Sequence, residues 1–194
     1  MAGVRLRFAQ KVTKVRCQTV RCGEMRRVID NPRSGERIVI HRSGSETDGQ
    51  LLVFDVFLQP GAHVPAAHTH PRQEERFAVL DGSVRFRVAG HTILARAGEA
   101  VAVGPGTPHW FENPGPAVAQ VRVEVRPALR LEELFATTAR VASSQAGWLA
   151  RQVDRVLIVL DYRSEVGVPR VPAVLVTGLL TPLAWARGRL RASG

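Results

Sequence analysis

Residues 37–126 are cut at short intervals by turn residues, and the pieces between them alternate apolar and polar side chains. Val84, Phe86 and Val88 alternate with Arg85 and Arg87, and Val121, Val123 and Val125 alternate with Arg122 and Glu124. A period of two buries one set of side chains and leaves the arginines solvated. Turn signals stand at Pro60-Gly61, Asp81-Gly82, Ala89-Gly90, Ala97-Gly98 and Asn113-Pro114-Gly115-Pro116. Strands about every 8–12 residues with such turns describe an all-β antiparallel sandwich or barrel. Residues 50–58 are apolar at nearly every position, which reads as a strand covered on both faces.

The period changes after Pro127. Leu131, Leu134, Phe135, Thr138 and Val141 recur at helical spacing, as do Leu149, Val153, Val156, Leu157 and Leu160. Pro169 and Pro172 then break the chain before a last apolar stretch at 173–186. Three regions follow: a basic N-terminal arm at 1–24, expected to be disordered; a β domain at 25–127; and a helical C-terminal extension at 128–194. The turn chemistry of Asn31-Pro32 and Ser34-Gly35 comes soon after Met25, so the ordered domain is expected to begin near Met25.

The 194 residues carry 27 basic and 17 acidic groups, a formal charge of +10 that normally raises nucleic acid or an anionic membrane as a partner. Divided by region, the charge is +5 for the arm, +1 for the β domain and +4 for the extension. The β domain is nearly neutral and no helix-turn-helix pattern is present, which argues against nucleic acid. Cys17 and Cys22 form neither a disulfide framework nor a zinc-finger spacing. No apolar run reaches the ~18 residues of a spanning helix, and the N-terminus lacks a secretory apolar core. The expectation is a cytoplasmic protein. Residues 173–185 are apolar and Arg187, Arg189 and Arg191 follow them, so the extension is expected to pack on the barrel or a dimer partner, with peripheral membrane contact as the alternative.

Chemistry is concentrated in the β domain. His68 and His70, two apart on an extended segment, project to one side, so both imidazoles reach one point. Pro71 turns the chain back and lets Glu75 approach from the next strand, while Glu74 has the opposite parity and faces outward. His109 arrives from a later hairpin after Gly104-Pro105-Gly106-Thr107-Pro108. Three neutral imidazoles and one carboxylate suit a divalent transition metal: Fe, Mn, Co, Ni, Cu or Zn. His41, His63 and His91 read as ordinary surface or core histidines, with His63 placed near the pocket mouth. Phe54, Phe57, Phe77, Phe86 and Trp110 are the candidates for an apolar pocket wall.

These residues resemble the cupin superfamily. Its first motif, G-x5-HxH-x3,4-E-x6-G, is matched from His68 through His70 and Glu75 to Gly82; Gly61 lies one residue further upstream than the pattern asks. Its second, G-x5-PxG-x2-H-x3-N, is matched by Gly98, Gly106, His109 and Asn113, with Gly104 in place of the first proline. The resemblance covers residues 37–126. It implies a double-stranded β-helix, or jelly-roll barrel, of six to eight strands, often dimeric, with His68, His70, Glu75 and His109 as metal ligands. It also implies a small-molecule oxidoreductase of dioxygenase type, similar to quercetin-cleaving enzymes, with Glu75 both ligand and general base. The alternative is a non-catalytic ligand-binding or sensor cupin with a structural metal.

Overall fold

The computed structural model describes residues 27–167 apart from 33, 64–66 and 146. The basic arm, the start near Met25, both cysteines and the apolar stretch at 173–186 lie outside the described residues. Nine strands form two antiparallel sheets: β1 (Val28–Asn31), β2 (Glu36–Arg42), β3 (Leu52–Leu58), β4 (Glu74–Asp81), β5 (Ser83–Val88), β6 (His91–Arg96), β7 (Ala100–Val103), β8 (His109–Glu112) and β9 (Ala119–Arg126). The larger sheet runs β1-β2-β3-β9-β4-β7 and the smaller β6-β5-β8. Nine strands exceed the expected six to eight because the hairpin of β1 and β2 lengthens one edge of the larger sheet.

Alternation predicts which side chains enter the barrel. Leu52, Phe54, Val56 and Leu58 of β3 are buried, as are Val121, Val123 and Val125 of β9 and Val84, Phe86 and Val88 of β5. Phe54 and Phe77 both pair with Val123, so one rung crosses three strands of the larger sheet. Phe77, Phe86 and Phe111 then join the two sheets, with ring centroids 5.3 to 5.6 Å apart. Arg85 and Arg87 are exposed as expected.

The outer face of β3 departs from the sequence reading. Its cover is polar rather than apolar. Asp55 is 3% exposed and accepts hydrogen bonds from Arg122 Nε and a terminal Arg122 nitrogen at 2.8 and 3.0 Å, and from Gln120 at 2.9 Å. His41 Nε2 lies 2.8 Å from the same carboxylate. Arg122 is therefore only partly solvated, because its register partner across β3 and β9 is this acid. Burial alone would push the Asp55 carboxyl up, but the Arg122 and His41 hydrogen bonds outweigh it and hold it below the ordinary carboxylate range.

Two helices follow the barrel: α1 (Leu131–Ser143) and α2 (Trp148–Asp161). Leu131, Leu134, Phe135, Thr138 and Val141, the stripe legible in the sequence, all face the interior cavity. Phe135 meets Phe54 edge-on at 5.1 Å. On α2 the cavity-facing residues are Arg155, Ile158 and Val159, whereas Val153, Val156, Leu157 and Leu160 are half-buried on other sides. The helices are tied down by Glu132, which accepts from Arg27 and from Ser43 Oγ, and by Thr137 against the Tyr162 hydroxyl at 3.1 Å. Among the described residues no helix is long and apolar enough to cross a membrane.

Asp55→Asn is expected to cost about 2 kcal/mol at pH 7, less than the roughly 3–5 of a fully buried pair because Arg122 is 37% exposed. A depressed carboxylate stabilises above its unfolded pKa and loses that contribution as pH falls through its folded one. Urea unfolding of the two proteins should therefore differ at pH 7 and converge in acid, below the ordinary carboxylate range. An undiminished gap there would contradict the ionic role.

Candidate metal centre

Two separate chain segments bring the three imidazoles together. His68 pairs with His109 in an isolated antiparallel bridge, with backbone N to O distances of 3.0 and 2.9 Å. His109 is the first residue of β8, and its register with Val88 of β5 sets its height in the barrel. Thr69, between the two motif histidines, forms a second bridge with Gly167 just beyond α2. The HxH motif thus lies in two bridges and not in a continuous strand, yet both histidines reach the expected point. The ring centroids are 5.0 Å apart for His68 and His70, 4.5 Å for His68 and His109, and 5.5 Å for His70 and His109. One nitrogen from each ring lies within 4.8 Å of the others.

Glu75 joins this group from β4. It is 5% exposed, with Oε1 3.5 Å from His70 Nε2 and Oε2 2.8 Å from His109 Nε2. Glu74, one residue earlier, is exposed, as strand parity requires. Burial pushes the Glu75 carboxyl up, but the closeness of the imidazoles of His70, His109 and His68 holds it below its ordinary range. Burial in turn lowers His109, and Glu75 more than restores it.

The outward-facing ring nitrogens are also fixed. His70 Nδ1 donates to the backbone carbonyl of Glu165, and His109 Nδ1 donates to that of Thr107 at 3.0 Å. A carbonyl only accepts, so each Nδ1 carries a proton, and it is Nε2 that offers a lone pair whenever the ring is neutral. Nε2 of both rings points toward Glu75. His109 Nε2 and Glu75 Oε2 are buried and oriented too poorly for a hydrogen bond despite their short separation. Two buried unpartnered atoms, Glu75 Oε2 and His109 Nε2, beside imidazoles of which His70 and His109 are oriented from behind by a carbonyl, fit a borderline divalent ion.

The centre opens into a cavity of about 460 Å³ lined by His68, His70 and Glu75. Phe54 and Phe77 stand on its wall, but Phe57, Phe86 and Trp110 do not. Phe57 points to the outer face of β3, and Trp110 has the opposite parity to His109 and Phe111 on β8. Phe86 is wholly buried in the core between the sheets. Phe111 is on the wall instead, one step along the strand from Trp110. His63 is exposed and bridges Glu112; its charge acts on Glu36, which lines the cavity. His91 is exposed on β6 and His41 belongs to the Asp55 network.

No residue pattern announces the part played by residues 162–167. This turn supplies the Glu165 carbonyl to His70 and the Gly167 backbone to Thr69. A β-carbon on Gly167 would lie 2.6 Å from Thr69 Oγ1. A backbone acceptor carries no residue-type signature, and only the fold reveals it.

Residues 54–125 match the family model described as the cupin domain. No curated protein matches the chain. Among solved structures, it is similar to a sugar phosphate isomerase of the cupin superfamily from Silicibacter pomeroyi, at 25% identity and a TM-score of 0.43. That match covers 47% of this chain and 59% of the other. A predicted oxalate decarboxylase from Thermotoga maritima matches at 23% identity and a TM-score of 0.48, covering 53% of this chain and 91% of that one. An RmlC-like cupin from Shewanella frigidimarina matches at 19% and 0.48, covering 57% and 92%.

His70→Ala and His109→Ala are each expected to weaken divalent-metal binding more than about 100-fold, and Glu74→Ala to leave it within about twofold, by competition against a chromophoric chelator. Equal loss in all three would contradict the assignment of donors. Gly167→Ala, which displaces the turn behind His70, should weaken binding about 10-fold while the barrel stays folded by circular dichroism. An unchanged affinity would deny the turn its orienting role.

Proposed function

We propose that residues 54–125, which match the cupin-domain family model, form with their flanking elements a metal-dependent small-molecule oxidoreductase of dioxygenase type with a three-histidine, one-glutamate centre. The observation that carries this reading is the meeting of His68, His70, Glu75 and His109 at the side of an apolar cavity, with Glu75 Oε2 and His109 Nε2 buried and without a hydrogen-bond partner. His68, His70 and His109 would hold the metal through ring nitrogens, and Glu75 through its carboxylate. A bound redox-active ion supplies Lewis acidity and a place for dioxygen and an acidic hydroxyl or enol to meet.

The protein's own part is mostly environment. Phe54, Phe77, Phe111 and Phe135 provide flat apolar walls for an aromatic or conjugated substrate. Helices α1 and α2 line one side of the cavity with apolar residues, which lowers the local polarity and strengthens polar contacts made there. Glu75, kept ionised by its imidazole neighbours, accepts the substrate hydroxyl proton at a carboxylate oxygen and so presents the substrate as an anion. A homodimer is part of the same proposal, since among the described residues β1, β6 and β7 end their sheets with no further strand beyond them.

Oxygen uptake by protein reconstituted separately with iron, manganese, cobalt, nickel, copper and zinc, across catechol, flavonol and β-diketone substrates, tests the reading. Uptake with at least one redox-active ion, none with zinc, and a loss of at least about 100-fold in Glu75→Gln is expected. Tight metal binding without uptake on any substrate class would instead support a ligand-binding or sensor role.

A further inference from the structure

The cavity wall is apolar except at a few places, and each of those has a chemical meaning. His68, His70 and Glu75 belong to the centre described above. Asn31 and Glu36 come from the β1 and β2 hairpin. Arg155 comes from α2, one turn before Ile158 and Val159, which share the wall with it. Among the described residues it is the only lysine or arginine that lines the cavity.

Six described arginines are matched to acids: Arg27 to Glu132, Arg37 to Asp30, Arg85 to Glu112, Arg122 to Asp55, Arg126 to Glu124 and Arg130 to Glu133. Arg155 has no carboxylate within 4.0 Å among the described residues. Its side chain is exposed, so the guanidinium stands at the rim of the cavity, in reach of solvent and of an entering ligand. A cation at the rim of an apolar cavity gains most from an anion that arrives with an apolar body and displaces water.

We propose that Arg155 anchors a ligand carboxylate, so that the cavity takes a largely apolar, aromatic or conjugated monocarboxylic acid. The proposal rests on the metal-centre reading only for which end of the ligand reacts. The carboxylate pairs with Arg155 at the rim, the apolar body lies along Phe54, Phe135 and Ile158, and the far end points toward the imidazoles. A planar guanidinium matches a carboxylate in two parallel hydrogen bonds, geometry that a hydroxyl or amide does not offer.

A phosphate ester is the weaker fit. It carries close to two negative charges at neutral pH, and one guanidinium offers no second cation to balance them. Glu36 stands on the same wall, where burial pushes its carboxyl up despite the opposing pulls of Ser34 and His63. A second negative charge on the ligand would add to the cost of that site. The second glycine-rich turn belongs to the β7 to β8 connection and provides no phosphate cradle.

The test is calorimetric titration of 3-phenylpropanoate and its primary amide into zinc-loaded wild type, Arg155→Gln and Arg155→Lys, with metal content measured in each. Zinc prevents turnover, so binding alone is read. Wild type should bind the acid about tenfold or more tightly than the amide. Arg155→Gln should abolish that preference while amide affinity and metal content stay as in wild type, and Arg155→Lys should keep part of it. Equal affinity for acid and amide in wild type, a preference that survives Arg155→Gln, or no binding of either would overturn the proposal. The same titration on metal-free protein separates the two ideas: absence of zinc binding removes the metal-centre reading, while the acid-over-amide preference still decides Arg155.

Discussion

A carboxylate buried among three imidazoles is the constraint around which this structure is arranged. Glu75 has left water almost completely, and such a charge is tolerated only where opposite charge or hydrogen-bond donors surround it. Those neighbours arrive from two parts of the chain, the His68-Thr69-His70 segment and the start of β8. His70 comes from the connection before β4, His109 from the start of β8, and His68 is held beside His109 by a backbone bridge. The register of β4 against β7 and β9 and that of β8 against β5 then have to agree to within a residue. A slip of one position would turn Glu75 outward and Glu74 inward.

The helical extension is tied into the same arrangement. Read as an appendage, α1 and α2 would need only an apolar stripe to lie on the barrel. Instead they cover the cavity, and the turn after α2 reaches His70 and Thr69 with backbone atoms. Gln73 adds a link from the other side: its amide nitrogen donates to the carbonyls of Pro127 and Ala128, where the chain leaves β9 for α1. Loosening the extension is therefore expected to disturb the centre as well as the cavity.

The β barrel was legible because strand period and turn chemistry are local. Val84, Phe86 and Val88 and their exposed arginine neighbours announce the inward face without reference to anything distant. The meeting of His68, His70 and His109 was legible because spacing fixes parity, which also separates buried Glu75 from exposed Glu74. What stayed hidden depends on contacts remote in sequence. Asp55 looked like a lone acid in an apolar strand until Arg122, Gln120 and His41 were brought to it by the pairing of β3 with β9 and β2. Among the aromatic candidates, parity alone separates Phe111 from Trp110, but it does not tell the cavity wall from the packed core where Phe86 lies. The Glu165 carbonyl and the place of Arg155 on α2 follow from helix docking, which no local pattern encodes.

The central claim is that His68, His70, Glu75 and His109 jointly hold one metal ion. Anomalous scattering from crystals of the metal-loaded protein, collected at the absorption edge of the ion supplied, tests it most directly. A single strong peak within ~2.0–2.2 Å of one nitrogen from each histidine and of a Glu75 oxygen is the predicted result. A peak elsewhere, or none at this point in protein shown by elemental analysis to contain the ion, would contradict it.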